Sequence, residues 1–414
     1  MKASRIILLA LLAAVALLLC APGSALAGGS DPETGFRIPP ALQAVTQTSV
    51  GMMWETHNSD TGVIKLSVNS NMSGAITKNI SSNIKRHEVR VTGLAANTLY
   101  YYTVKSDGET SAKGSFLTAL PKGTRMPFRF MVYGDSREAP WYEDIVAKYG
   151  DNDDHLPCVV SMDYYAPDFL VHVGDFVYDG NDTDPIYNFF DVEKELLANN
   201  PLLATYGNHE FSGGSGSGNT LIDSWLIPAP GGTFDHYSVN YGNVHILVIN
   251  TGEGVWASDN FDLLKPGSTQ YNFIVSDLAA AKADAGIDHI FVSMHAPPYS
   301  AANFGDNQTL INALEPLFKT YGVRAIFMGH EHDYQHMVHD GLHYILSGGC
   351  GSPIMDFPWK GDQDDTHANL IKYDDVLNYV IVDVSGSTVN FQARKVAGNG
   401  SSSSSVIESF TLYK

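Results

Sequence analysis

The sequence predicts an α/β domain preceded by an all-β module, and three observations support this. Short alternating runs separated by turn residues fill residues 37–119, as in antiparallel β-structure. From residue 126 onward, apolar runs of strand length alternate with helical segments, which is the pattern of an α/β domain. Four of these runs end in a glycine followed directly by a residue of metal-binding type, and a fifth ends in a histidine. The repetition indicates a metal site on the α/β domain.

The all-β module is predicted over residues 37–120. Its strand candidates are 45–56, 64–70, 87–94 and 98–108. The sequence GLAANTLYYYTV resembles the tyrosine corner of fibronectin type III domains, with Tyr100 or Tyr102 as the corner residue. Pro121, Lys122 and Gly123 then mark a boundary. We therefore expect a fibronectin-like sandwich at this end of the chain.

The α/β domain is predicted over residues 126–414. Its apolar strand runs are 128–133, 168–173, 202–206, 244–249, 289–294 and 324–328, and its helical segments are 187–198, 270–283 and 310–321. Residues 378–396 predict a hairpin near the C-terminus. The serine run 401–405 is interpreted as a loop before a last strand.

Residues 1–27 have the pattern of a secretory signal peptide. Lys2 and Arg5 precede a short apolar stretch, and Ala25-Leu26-Ala27 forms a small-x-small cleavage site. A lipoprotein junction at Cys20 is the less favoured alternative, because the preceding Leu19 stands where a small residue is wanted. No later stretch is long and apolar enough to span a bilayer, so we expect a secreted or periplasmic protein without a transmembrane anchor.

The net charge of −20 becomes two units more negative when the signal peptide is removed, because residues 1–27 contain two bases and no acid. Such a field repels polyanions, and we expect no nucleic-acid-binding surface. A small phosphate ester is still an acceptable partner, since bound cations would dominate the field inside a site. The two remaining cysteines, Cys158 and Cys350, could equally form a disulfide or stay as buried thiols. The oligomeric state is not indicated.

The junctions at the ends of the strand runs supply seven candidate ligands. The carboxyl ends of parallel strands meet at one edge of a sheet, and the glycine lets the chain turn sharply there. Carboxylate, amide, phenolate and imidazole groups together suit hard and borderline cations. The candidates are Asp135, Asp175, Tyr178, Asn208, His295, His330 and His332. With this many donors two ions are expected, one aspartate bridging them.

The ordered set GD…GDxxY…GNHE…H…GHxH resembles the metallophosphoesterase signature, and specifically that of purple acid phosphatases. Arg137 stands where most members of the superfamily have a histidine ligand, and Tyr178 stands where purple acid phosphatases have a compensating tyrosine. The preceding fibronectin-like module is typical of the plant-type members. The resemblance implies a calcineurin-like metallophosphoesterase domain over residues 126–414, folded as an α/β/β/α sandwich.

The resemblance also implies how the ligands divide between two ions. Fe(III) would be bound by Asp135, Asp175, Tyr178 and His332. A divalent ion (Zn, Mn or Fe) would be bound by Asp175, Asn208, His295 and His330. Asp175 would then bridge the two ions.

The implied activity is hydrolysis of phosphomonoesters by a metal-activated hydroxide. Asp175 and His209 would be the catalytic residues. His209 would protonate the leaving alkoxide or bind the phosphate. Arg137 and Tyr334 are weaker candidates for contacts with the substrate.

The chain departs from the plant-type pattern after His295. Those members have a further histidine several residues later, whereas residues 296–306 contain none, so Tyr299 or Asn303 are candidates for its role. This departure favours, as the alternative function, a phosphodiesterase or nucleotide hydrolase of the same superfamily. A non-catalytic secreted binding protein is a third hypothesis, and the presence of all seven candidate ligands argues against it.

Overall fold

The computed structural model describes residues 33–138, 147–149, 154–211, 226–233, 236–252, 261–302, 304–355, 367–398 and 400–414. The predicted signal peptide, Cys20 and Asn303 lie outside the described residues. The N-terminal strands are β1 Phe36–Gln43, β2 Ser49–Ser67, β3 Ile76–Thr92, β4 Leu99–Ser106, β5 Glu109–Thr110 and β6 Gly114–Leu117.

Two large sheets organise the chain. The first sheet has the strand order β21-β20-β19-β7-β9-β10-β1-β2-β4-β5, with β3 beside β2 and β6 beside β4. Its further strands are β7 Phe128–Tyr133, β9 Phe169–His172, β10 Leu202–Ala204, β19 Asn378–Ser385, β20 Thr388–Gly398 and β21 Ser401–Tyr413. Strands β7, β9, β10 and β1 are mutually parallel, so their carboxyl ends lie along one edge.

The second sheet has the strand order β11-β12-β13-β14-β16-β15-β18. Its strands are β11 His236–Tyr241, β12 Val244–Ile249, β13 His289–Ser293, β14 Ala325–Met328, β15 Tyr334–His339, β16 Leu342–Ser347 and β18 Leu370–Asp374. Strands β12, β13, β14 and β16 run parallel. A small separate pair consists of β8 Ala147–Tyr149 and β17 Ile354–Met355.

In the described part of the chain, four α-helices cover the sheets. They are α1 His155–Tyr164, α2 Thr183–Leu197, α3 Thr269–Ala283 and α4 Gln308–Tyr321. Side chains of Asp182, Ser268 and Asn307 cap the last three by accepting a backbone N–H of the first turn. Helix α4 ends at Gly322, whose left-handed φ of 77° suits a glycine. These three helices confirm the predicted segments.

Three apolar cores confirm the predicted α/β/β/α sandwich. The central core lies between the two sheets, where the rings of Phe130, Phe291 and Phe327 contact one another. A second core lies under α1 and α2 on the first sheet, and a third lies under α3 and α4 on the second. Each fully buried large apolar side chain contributes about 1.5–3 kcal/mol.

The N-terminal module shares the first sheet with the α/β domain. Strand β1 pairs in parallel with β10, with Gln43 opposite Leu202. The Tyr100 hydroxyl accepts the backbone N–H of Ala95 at 3.0 Å, which identifies Tyr100 as the corner residue. The Tyr102 hydroxyl instead donates to the Ala198 carbonyl at 3.0 Å. The module therefore supports the strand that precedes Asn208.

The structure differs from the sequence analysis at two points, and it decides between the two alternatives left open for the cysteines. Helix α1 was not predicted: its N-cap residue Asp154 makes no side-chain cap, and several of its apolar residues are exposed. The serine run 401–405 is strand, because it pairs with β20 and Ser404 accepts from Arg394. Cys158 and Cys350 are buried free thiols. Among the described residues, no helix is long and apolar enough to cross a membrane.

Candidate metal centre

The edge of the first sheet presents oxygen ligands. Asp135, Asp175 and Asn208 follow β7, β9 and β10 within a few residues of each strand end. Asp135 and Asp175 adopt left-handed φ values of 52° and 56°, which are uncommon for a residue with a side chain. The turn at Asp135 is fixed by its N–H, which donates to the Gly174 carbonyl at 2.9 Å. Such local strain is typical of functional sites.

The edge of the second sheet presents nitrogen ligands. His295 follows β13, and His330 and His332 follow β14. His330 also has a positive φ, of 77°. Its backbone N–H donates to both carboxylate oxygens of Asp135, at 2.9 and 3.0 Å. This bond joins the two edges directly, so the ligands of both sheets lie in one small volume.

The ligand atoms form two clusters that share Asp175. One contains Asp175, His295 and His330, and the other contains Asp135, Asp175 and His332, with ligand atoms within 4.8 Å of one another in each. The amide oxygen of Asn208 extends the first cluster. It lies 3.1 Å from Nε2 of His295 and 3.0 Å from Nδ1 of His330. Two ions with a bridging carboxylate fit this arrangement.

Backbone carbonyls orient two of the imidazoles for ligation. Nδ1 of His295 lies 2.8 Å from the Val173 carbonyl, and Nδ1 of His332 lies 2.9 Å from the Pro353 carbonyl. A carbonyl only accepts, so Nδ1 carries the proton and Nε2 presents a lone pair to the centre. Nε2 of His295 is 3.3 Å from Asp175 Oδ1. This is the outer hydrogen bonding usual for histidines that bind a metal.

Electrostatics also favour cations at this position. Burial and the charge of Asp175 hold the pKa of Asp135 well above its ordinary value. Burial opposes ionisation of Asp175 as well, but His295 and His209 outweigh it and lower its pKa. Burial, and then Arg137, lowers the pKa of His332 to about 3, so that ring is neutral, as a metal ligand must be. Two such deep carboxylates stay ionised together only beside positive charge.

Glycines make room for the carboxylates. A side chain at Gly207 would overlap Oδ1 of Asp175, and one at Gly329 would overlap Oδ2 of Asp135. In the GN and GH motifs the glycine is therefore needed for close approach to a neighbouring ligand. Both glycines belong to junctions that the sequence analysis singled out.

His209 and Tyr178 are half-buried, and their rings are in contact, with 5.0 Å between the centroids. The His209 N–H donates to Asp175 Oδ1 at 3.0 Å, and its Nδ1 lies 2.8 Å from the Tyr178 carbonyl. Nε2 of His209 is therefore left facing Asp175 Oδ2 at 4.0 Å. The Arg137 guanidinium lies 5.3 Å from the centre of the Tyr178 ring. The structure thus brings together His209, Tyr178 and Arg137 with the ligands.

Two predicted substrate contacts lie elsewhere. Tyr334 is fully buried in the central core, and its hydroxyl donates to Glu408 at 2.7 Å. The Tyr299 hydroxyl donates to Glu315 at 2.6 Å, within the core under α4. Both side chains are held by carboxylates of the surrounding fold. Their positions give no support to contacts with a phosphate ester.

Sequence reasoning missed Glu210, which directly follows Asn208 and His209 in the chain. Glu210 is fully buried, and its carboxylate accepts the N–H groups of Asp175, Phe176 and Gly207. Burial and the charge of Asp175 raise its pKa to about 7, while the N–H donors oppose this shift. Glu210 ties the turn after β9 to the turn after β10. Its position directly after Asn208 and His209 is the sequence signal that could have identified it.

The segment after β16 was also missed. Ser347 ends that strand and two glycines follow, which is the same pattern of an apolar run ending in glycine. The segment supplies the Pro353 carbonyl to His332, and its Ser352 N–H donates to the Asp135 carbonyl at 2.8 Å. Cys350 follows those glycines and offers none of the carboxylate, amide, phenolate or imidazole groups of the candidate set, so the pattern was not recognised.

Comparisons with known proteins agree with this geometry. The calcineurin-like phosphoesterase family matches residues 128–334, and the N-terminal domain family of purple acid phosphatases matches residues 36–118. An uncharacterized protein of Mycobacterium tuberculosis is 26% identical over 336 residues, which cover 74% of this chain and 62% of that protein. Human tartrate-resistant acid phosphatase type 5 is 28% identical over 252 residues, covering 56% of this chain and 75% of the human protein.

A solved purple acid phosphatase from yellow lupin seeds has a similar fold, with a TM-score of 0.71 at 18% identity, over 90% of this chain and 74% of the lupin chain. Fold and site together define a metallophosphoesterase. With both of its domain families matched, the chain belongs to the purple acid phosphatase family of calcineurin-like phosphoesterases.

Proposed function

We propose that this protein is a secreted or periplasmic binuclear hydrolase of phosphomonoesters. The observation that carries the proposal is the pair of ligand clusters sharing Asp175. The signal-peptide pattern of residues 1–27 supports export. The human relative named as an acid phosphatase supports the substrate class, although the matched region covers 56% of this chain.

The donor set supports one ion at each cluster. One ion would be held by Asp135, Asp175, Tyr178 and His332. The other would be held by Asp175, Asn208, His295 and His330. When bound, two cations would neutralise the phosphoryl oxygens and lower the pKa of a coordinated water.

The chain's own side chains would orient the ester and supply a proton. Nδ1 of His209 is engaged by the Tyr178 carbonyl, so Nε2 is the atom that would give a proton to the leaving oxygen. The His209 side chain is 18% exposed, which leaves it accessible from solvent. Arg137 lies beside Tyr178 and would attract the phosphate charge.

The metal identities are proposed as Fe(III) plus a divalent ion, Zn, Mn or Fe. The carboxylates in the cluster of Asp135, joined by the phenolate of Tyr178, would suit a trivalent ion, whereas amide and imidazole donors suit a divalent one. Tyr178 bound to Fe(III) would give a visible charge-transfer band. Tyr178→Phe should bleach that band while the circular dichroism stays unchanged. A colourless, iron-free and fully active protein would contradict the iron assignment.

A phosphodiesterase or nucleotide hydrolase is the second candidate function. Residues 296–306 contain no histidine, and Tyr299 is engaged by Glu315 rather than by the centre. A diester carries one negative charge fewer than a monoester dianion, so it depends less on an additional cationic contact. This observation favours diesters within the same chemistry.

The deciding experiment uses the full secreted chain, its metal content by elemental analysis, and matched esters. Phenyl phosphate and methyl phenyl phosphate share the phenol leaving group and differ by one methyl group and one negative charge. A higher kcat/KM for phenyl phosphate supports the monoesterase, and the reverse order supports the diesterase. Hydrolysis of neither ester by protein with two ions per chain would contradict both.

A further inference from the structure

Of the three ligand histidines, His330 is oriented differently from the other two. His295 and His332 each direct Nδ1 at a backbone carbonyl. His330 instead directs Nδ1 at Asn208, on the metal side, and its Nε2 is buried without a hydrogen-bond partner among the described residues. Within the described ranges, no hydrogen bond on the far side of this ring fixes its rotation. Something else must hold it, because a ligand ring that rotates weakens its ion.

The ring of His330 is in close contact with an aromatic ring. The ring of Phe304 lies 4.1 Å from the ring of His330, centroid to centroid, at a tilt of 47°. This separation is at the short end of aromatic contacts, where the packing of two rings restricts the rotation of each. Phe304 is only half-buried, so the contact with His330 rather than general burial accounts for its position.

The loop that carries Phe304 is tied to the segment that carries the histidines. Oε1 of Glu331 accepts the Phe304 N–H at 2.9 Å and the Ser300 hydroxyl at 2.9 Å. Glu331 is buried and stands between His330 and His332 in the chain. A second tie joins the Ala301 N–H to Gln335 at 2.8 Å. The Phe304 ring is thus fixed relative to His330 by bonds that start from the adjacent residue.

We infer that Phe304 is a positioning residue, which fixes the His330 imidazole in place of a hydrogen bond and so sets the affinity of the ion that His330 shares with Asn208. The inference rests on the proposed binuclear centre. Its site is the segment 296–306, which lacks the histidine discussed above. In this chain that loop stabilises a ligand through an aromatic contact.

The test compares Phe304→Ala with a matched control in the full chain. His236 and Phe273 form a similar pair away from the centre, 4.5 Å apart and tilted by 40°, and Phe273 is also half-buried. Metal retention is measured by elemental analysis after competition with a chelator. Phe304→Ala should weaken one ion about tenfold, the lower end of the roughly 10–100-fold cost of losing an outer-shell partner. Phe273→Ala should leave both ions unchanged.

The affected ion is assigned by reference variants. The loss in Phe304→Ala should match the ion lost in His295→Ala and not the one lost in His332→Ala. Phe304→Tyr keeps the ring and should restore affinity, whereas Phe304→Leu keeps apolar bulk without the ring and should restore it only in part. Equal weakening of both ions, or no weakening, would overturn the inference.

A second measurement separates this inference from the proposed function. Crystal structures of wild type and Phe304→Ala, each treated with chelator, report the His330 ring without any ion. We expect one ring orientation in wild type and more than one in Phe304→Ala. A single unchanged orientation in the variant overturns the inference, even if the enzyme hydrolyses phosphomonoesters. Ring disorder in an enzyme that hydrolyses no ester supports the inference while the proposed function fails.

Discussion

The two sheets contribute opposite chemistry to one centre. The first sheet presents the carboxylates Asp135 and Asp175 and the amide of Asn208, and the second presents the imidazoles of His295, His330 and His332. The groups that orient them are opposite too. The two carboxylates accept backbone N–H groups, whereas the imidazoles of His295 and His332 donate to backbone carbonyls. Backbone N–H groups therefore orient the carboxylates at the first edge, and backbone carbonyls orient two of the imidazoles at the second.

This difference shows that the two sheets contribute differently to the charge and the geometry of the centre. The first sheet supplies the negative charge that attracts cations, and it holds that charge on strained turns with positive φ. In the second sheet, burial lowers the pKa values of His330 and His332, so these two rings are neutral donors. Burial opposes a charge on His295 as well, but Asp175 and Asp135 outweigh it and raise its pKa to about 9. Removing Asp135 or Asp175 should therefore change both charge and geometry, while removing His330 or His332 should change geometry alone.

Asp175 gives the largest expected effect, because it belongs to both clusters. Asp175→Ala should remove most of both ions and lower kcat/KM by about 10³-fold or more, since metal charge is worth several kcal/mol and each 1.36 kcal/mol is tenfold. Elemental analysis and steady-state kinetics measure the two effects. Asp191→Ala changes an exposed carboxylate on α2 and serves as the control. Full occupancy of both ions in Asp175→Ala would contradict the shared-ligand arrangement.

Removing a single histidine should release one of the two ions and leave the other bound. His295→Ala should release the ion near Asn208, and His332→Ala should release the ion near Asp135, because each ring contacts one cluster. We expect more than the roughly 10–100-fold loss of affinity typical of an outer-shell change. Each variant should keep the other ion in elemental analysis. Loss of both ions in both variants would show that the two positions do not bind independently.

The variant His209→Ala tests proton donation to the leaving group rather than metal binding. His209→Ala should slow an alkyl phosphate by about 10²-fold or more and slow nitrophenyl phosphate much less, because a weakly basic leaving group needs little protonation. Both ions should be retained. His339→Ala, another partly exposed histidine, should leave both substrates unchanged. Equal slowing of the two esters at full metal content would leave His209 only a role in binding phosphate.

The pH dependence of this effect has a defined sign. Burial lowers the pKa of His209 from 6.5, Arg137 adds to the shift, and Asp175 opposes it. Nearby cations would lower the pKa further. His209 then carries its proton only in acidic solution, so the His209-dependent part of alkyl ester hydrolysis should fall as pH rises through a value below 6.5. A pH–rate profile of wild type against His209→Ala measures this part.

The sequence predicted the positions of the candidate ligands at strand ends better than it predicted the residues that orient them. Glycine at the end of an apolar run is a local signal, and the runs before Asp135, Asp175, Asn208 and His330 became parallel strand ends as expected. Tyr334 was misplaced by the same local reasoning. It lies two residues after His332, but it begins β15, where alternation turns its side chain into the central core.

The residues that hold the ligands in place act through contacts between segments that are far apart in the chain. Glu331 bonds residues 300 and 304, and the Pro353 carbonyl reaches His332 from beyond β16. No spacing rule predicts such pairs, since the same residue types recur throughout the chain. The serine run in β21 shows the same limit, because pairing with β20 overrides a composition typical of loops.

The smallest expected effect concerns Glu210, which supports the oxygen edge without contacting an ion. Glu210→Gln keeps one acceptor oxygen and replaces the other with an amide donor, so at least one of the three N–H groups loses its partner. A buried unsatisfied donor costs about 1–3 kcal/mol, and the free energy of unfolding should fall by that amount in urea titrations. The turns carrying Asp175 and Asn208 should loosen, and both ions should weaken by about tenfold. Glu193→Gln is the matched control, because Glu193 is equally buried but binds Tyr133 and His155 away from the ligands. If both variants lose stability but only Glu210→Gln loses metal, the ligands at the edge of the first sheet depend on the hydrogen bonds by which Glu210 joins the turns after β9 and β10. If neither loses metal, the strained turns hold the carboxylates without help.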